Sequence, residues 1–181
     1  MNDRQDFVWT GTLKNGVTVS IRTLRTDDRE AVAAAVRRLD PESIYSRLFS
    51  YRRELSEAGL ARIMTVDPSR EVALVVTAGA GADEIVIGSG RYVASDAPGA
   101  AERPAEVAFL VAKDYQGLGI ASRLFALLVE IGRKQGITRF EADVLAGNKS
   151  MLTVFARSGL KMEQRRDGGV IHISVPLQSA Q

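Results

Sequence analysis

Six residues, Gln116-Gly117-Leu118-Gly119-Ile120-Ala121, set two glycines at the start of an amphipathic stretch. An apolar run, Val107 to Ala112, precedes them across the short polar turn Lys113-Asp114-Tyr115. Strand, glycine turn and helix in that order leave bare backbone N–H groups at a helix N-terminus, where the helix dipole reinforces them. Such a turn suits an anion, phosphate above all. Glu106 heads the same apolar run, with Ala108 and Leu110 on its face and Val107, Phe109 and Val111 on the other. A carboxylate in that company loses solvation and becomes a better proton acceptor, the requirement for a general base.

The surrounding pattern must hold these residues in place. Val17 to Leu24 alternates as a half-buried strand should. Thr26 or Asp27 then caps a helix over Glu30–Leu39. Asp40-Pro41 starts a short helix over Glu42–Phe49, and Ser56 opens a third with Leu60, Ile63 and Met64 as its apolar stripe. Glu71–Thr77 and Ile85–Ala94 form a hairpin. The run Val107 to Ala112 reads as a strand buried on both faces. The helix Gly119–Lys134 carries Leu124, Leu127, Leu128 and Ile131 toward a core and ends at Gly136. Phe140–Leu145 is a strand, and Asn148–Ser158 a helix with Asn148 as its cap. Lys161–Arg166 and Val170–Val175 form a last hairpin around Asp167-Gly168-Gly169. Residues 1–16 read as an irregular arm or a weak hairpin, 17–177 as one mixed α/β domain, and 178–181 as a tail.

Composition narrows the chemistry. The chain has 181 residues, no cysteine, one histidine (His172) and a formal net charge of +2. Disulfides, thiolate catalysis and cysteine zinc sites are excluded, and a histidine metal site or a Ser-His triad has too few histidines. No metal, nucleic-acid partner or membrane partner is expected, and a cytoplasmic location is the default. A cluster of Arg47, Arg52 and Arg53 among Tyr45, Phe49 and Tyr51 reads as a solvated helix face or as one wall of an acceptor site. The glycine turn is a weak dinucleotide fingerprint, because Ser122 stands where the third glycine belongs and about a hundred residues precede it. No P-loop occurs.

Gln116-x-x-Gly119-x-Ala121, the strand AEVAFLV before it, the helix after it and Asn148 opening the next helix together resemble the GNAT family of N-acetyltransferases. The likeness extends from about Val17 to Val175. It implies a single domain with a mixed, mostly antiparallel sheet, one splayed parallel strand pair and flanking helices. It implies acetyl-CoA as co-substrate, with the pyrophosphate on the backbone amides of Leu118, Gly119, Ile120 and Ala121. Gly117 would allow close approach, and Gln116 and Ser122 would complete the turn. Leu110 and Val111 would meet the pantetheine, and the N–H of either would polarise the thioester. Asn148 would add a cofactor-side contact. Glu106 would act as general base on an amine acceptor. Phe155 stands where many members carry a tyrosine acid for the departing thiolate, so CoA would leave as thiolate or take its proton from another donor such as Ser150. Lys113, Arg123 and Lys149 are candidates for the 3′-phosphate of CoA.

The segment Asp40–Arg53, together with Leu55–Val76, resembles the acetyltransferase domain of bacterial Pat-type protein-lysine acetyltransferases. That implies a protein lysine as acceptor, in a monomer or homodimer. The alternatives are a small-molecule amine acceptor, a non-catalytic acyl-CoA-binding regulatory module on the same fold, or a nucleotide-binding oxidoreductase.

Overall fold

β-branched and aromatic residues fill the strands, and their period of two sorts them onto two faces of one sheet. The computed structural model describes residues 8–39, 57–95 and 101–177. Its strands are β1 Val8–Thr12, β2 Thr18–Thr23, β3 Glu71–Ala78, β4 Ile85–Ala94, β5 Pro104–Val111, β6 Arg139–Leu145, β7 Glu163–Asp167 and β8 Val170–Pro176. The described helices are α1 Arg29–Arg38, α2 Glu57–Met64, α3 Ile120–Lys134 and α4 Lys149–Ala156. The strand order is β1-β2-β3-β4-β5-β6-β8-β7. Every neighbouring pair is antiparallel except β5–β6.

The back face is the core. Ile21, Leu74, Val76, Tyr92, Phe109 and Phe140 lie there with Leu124, Phe125 and Leu128 of α3. Phe125 makes edge contacts with Phe155 at 5.1 Å and Phe109 at 5.9 Å between ring centroids. Gly90 lets α3 settle close to the sheet, since a Cβ there would lie 3.2 Å from both Leu128 and Phe109. α1 and α2 cover part of the front face. Arg91 on β4 fastens α2 there by donating to the carbonyls of Ile63 (3.2 Å) and Thr65 (2.7 Å) while pairing with Glu71. Those acceptors are the free carbonyls at a helix C-terminus, which need a donor once covered. Among the described residues no helix is long and apolar enough to cross a membrane.

Four sequence expectations change. In place of an arm or a hairpin confined to residues 1–16, Val8–Thr12 is a strand that pairs with β2 along its whole length. Neither Thr26 nor Asp27 caps α1; Asp28 stands at its start, with its carboxylate turned to Arg22 and to the Arg25 N–H. β5 is buried on one face only, since Glu106 is exposed and Ala108 and Leu110 are half-buried. It also begins three residues early at Pro104, a position that tolerates a missing N–H. The expected helix over Glu42–Phe49, the Ser56 start and the Arg47, Arg52, Arg53 cluster lie outside the described residues.

Candidate active site

A strand pair that parts after three residues organises the site. β5 and β6 are in register only at Pro104–Arg139, Ala105–Phe140 and Glu106–Glu141. Beyond that fork β5 stays with β4 as far as Val111, and β6 stays with β8 as far as Leu145. A wedge opens between them. Two bonds establish which backbone groups of β5 face it: Ser95 N–H to the Pro104 carbonyl (3.0 Å) and Ala112 N–H to the Ile87 carbonyl (2.8 Å). Even-numbered residues therefore spend their amides and carbonyls on the β4 side, and odd-numbered residues direct theirs to the wedge. A Cβ on Gly88 would lie 2.9 Å from the Leu110 carbonyl, which agrees with that sense. Leu110 and Val111, paired as pantetheine contacts by the family resemblance, thus separate. Val111 turns its backbone to the wedge, whereas Leu110 turns its backbone to β4 and offers only its half-buried side chain to the groove. Phe109, to which the sequence assigns no site role, turns its N–H to the wedge as well.

The glycine turn closes the wide end of the wedge. Gly117 and Gly119 have φ of 74° and 92°, and a Cβ on either would meet no protein atom within 4 Å. Left-handed backbone rather than crowding calls for glycine here, and the space around both stays open. Gly119 is the N-cap of α3 and provides no side-chain cap, and the first turn of α3 holds no acidic residue. The first bond in the helix runs from Arg123 N–H to the Gly119 carbonyl at 3.0 Å. The N–H groups of Ile120, Ala121 and Ser122 have no acceptor within the helix. A 15-residue helix therefore directs its positive end into the groove. Leu118 is half-buried beside it. Gln116 has its side chain committed, because Nε2 donates to the Val111 carbonyl at 3.1 Å. It braces the turn against β5 and leaves the Val111 N–H as that residue's remaining open group.

Glu106 sits at the fork on the front face. Glu141, its partner across the fork, is tied to the Arg139 Nε at 2.8 Å. Glu106 has no hydrogen bond or ion pair among the described residues, and it is exposed rather than desolvated by its neighbours. Asn148 caps α4 by accepting the Met151 N–H at 3.1 Å, and its residue lines the same groove. Phe155 is 1% exposed between Phe109 and Phe125, a core aromatic with no proton to give, while Ser150 lines the groove nearby. His172 is a satisfied strand histidine whose Nδ1 meets Asp143 on β6. Tyr115 packs against the core.

Three comparisons bear on this geometry. The profile of the acetyltransferase (GNAT) domain matches residues 18–161. An acetyltransferase of Pseudomonas aeruginosa is 30% identical over 166 residues, which is 91% of this chain and 87% of that protein. The acetyltransferase Pat of Mycolicibacterium smegmatis is 32% identical over 163 residues, 90% of this chain; the chain spans only 47% of that relative's length. The crystal structure of the GNAT domain of S. lividans PAT superposes with a TM-score of 0.80 at 30% identity, covering 93% of this chain and 96% of that one.

Proposed function

This chain belongs to the GNAT acetyltransferase family, and from that membership we propose that it moves an acetyl group from acetyl-CoA to a primary amine, a protein lysine by preference. The observation that carries the reading is the wedge ending at an uncapped helix start, with one unpaired carboxylate at its fork. Acetyl-CoA is the family's co-substrate. Its pyrophosphate would rest on the N–H groups of Leu118, Gly119, Ile120 and Ala121, with Gly117 giving close approach and Ser122 beside it. Its pantetheine would lie along β5 in place of the missing strand pairing.

The chemistry follows from charge. A lysine amine has a pKa of about 10.4, so it arrives protonated and cannot attack. Glu106 takes that proton, directly or through one water. The free amine adds to the thioester carbonyl, and the Val111 N–H stands on the side of β5 where the oxyanion would form. Collapse expels CoA as thiolate, since Phe155 offers no proton, and the second proton on the attacking nitrogen passes to the departing thiolate or to solvent as the amide forms. The resemblance to Pat-type protein-lysine acetyltransferases supports a lysine acceptor over a small-molecule amine.

Calorimetric titration with acetyl-CoA, with NAD as control, tests the cofactor. Saturable binding of acetyl-CoA alone supports the assignment, and binding of NAD instead would replace it with the oxidoreductase. Glu106→Gln then separates enzyme from regulatory module. The expected result is a kcat lower by about 100-fold near neutral pH, narrowing as pH rises, with unchanged acetyl-CoA affinity. Equal rates across pH remove Glu106 from the mechanism.

A further inference from the structure

The turn of the β1–β2 hairpin lies beside the start of α3, and a second, smaller cleft joins them. Trp9, Lys14, Leu118, Gly119 and Arg123 are among its walls. Lys14 and Gly119 also line the main groove, so the small cleft and the proposed cofactor groove share an edge.

Three features prepare this cleft for an anion. The guanidinium of Arg123 lies 4.6 Å from the centroid of the Trp9 ring, a cation–π contact. The indole also packs closely on Gly11, where a Cβ would fall 2.2 Å from the ring. Trp9 is a plate that holds Arg123. Lys14 rises from a turn closed by Leu13 N–H to the Val17 carbonyl (2.8 Å) and Gly16 N–H to the Leu13 carbonyl (2.9 Å). Neither Arg123 nor Lys14 has a carboxylate partner among the described residues, whereas Arg22, Arg29, Arg91 and Arg139 all do.

We infer that this cleft is a phosphomonoester subsite that takes the 3′-phosphate at the nucleotide end of an acyl-CoA, with Arg123 and Lys14 as its cations and Trp9 as the support of Arg123. The inference rests on the acyl-CoA reading above. A phosphomonoester carries close to two negative charges at neutral pH and needs cations of its own beyond a helix start already holding a pyrophosphate. Of the three candidates from sequence, Arg123 is the one held in place by another side chain. Lys113 shares its turn with Asp114, and Lys149 lines neither cleft.

The test compares CoA with 3′-dephospho-CoA by calorimetry, with the fluorescence of the chain's single tryptophan as a second readout. The wild-type protein should prefer CoA by about 10-fold or more, and Trp9 emission should change with CoA and much less with the dephospho form. Arg123→Gln combined with Lys14→Gln should bring the preference to within about twofold by weakening CoA alone. Both side chains are exposed, so an unchanged melting temperature is expected and confirms folding. Equal binding of both ligands by the wild type, or an equal loss of both in the double variant, overturns the subsite and leaves the acyl-CoA reading standing. Failure of the wild type to bind either ligand removes both.

Discussion

Two helices begin at the wide end of the wedge, and they begin differently. α4 starts under Asn148, whose side chain satisfies the Met151 N–H. α3 starts under Gly119, which has no side chain to offer, in a left-handed conformation with no acid in the first turn. Both helices follow strands of the parallel pair, so neither topology nor position accounts for the difference. One end is finished by the chain itself, which lowers its energy and leaves little for a ligand. The other is left unfinished, with its N–H groups available to a ligand. Side by side, they contrast a cap that satisfies its helix with a start that leaves its N–H groups open.

The largest test of that contrast is Gly119→Glu. It places a carboxylate where the anion would sit, and acetyl-CoA affinity should fall by about 100-fold. Calorimetry measures it, and near wild-type affinity would overturn the α3 site. A third helix start extends the comparison. Asp28 accepts two bonds from Arg22, at 2.8 and 2.7 Å, and one from the Arg25 N–H at 2.7 Å. Burial, the largest single influence, pushes its carboxyl up, but Arg22 and the Arg25 N–H together outweigh it and hold it below its ordinary value of 3.8. A carboxyl held low stabilises the fold above its unfolded value, and that contribution fades as pH falls through the folded one. Asp28→Asn should therefore cost about 2 kcal/mol at pH 7. In urea melts the gap between variant and wild type should close well below pH 4. A gap that persists in acid would assign the effect to shape rather than charge. The smallest effect belongs to Asn148→Ala, about 1 kcal/mol of stability. Its acetyl-CoA affinity should change less than about threefold. A larger drop in affinity would make Asn148 a ligand contact as well as a cap, and would blur the contrast.

The contrast is partly legible in the chain. Gln116, Gly119 and Ala121 mark the turn, and Asn148 reads as a cap because its side chain acts on residues three positions away. Local chemistry of that kind survives the reading of a sequence. Glu106 is legible as the polar head of an apolar run, but its freedom is not. That depends on Arg139 taking Glu141, a partner supplied by a strand 35 residues further on. Leu110 and Val111 are both apolar neighbours in one strand. Only the register with β4 decides which of them turns its N–H to the wedge. Asp28 escapes because its partner Arg22 lies across a turn, where helix-capping rules do not apply. Trp9 falls in a segment that reads as an arm or weak hairpin, and nothing in its neighbours in sequence points to Arg123.

The three residue pairs at the fork also make a mechanical seam. On one side β1 to β5 form a meander, each strand bonded to the next in sequence; on the other, β6, β8 and β7 form a second sheet fragment. Few backbone bonds join the two fragments there; what else holds them together is packing, with Phe140 of β6 against Tyr92 of β4 and Phe125 of α3. Native-state hydrogen exchange should therefore find the Ala105 amide, at the seam, opening by a smaller excursion than Tyr92 or Ile173, within the fragments. A rod-shaped molecule lying in the wedge and bonded to Phe109 and Val111 would act as a suture. Amides far from any contact with it, across the seam, would then slow together when it binds.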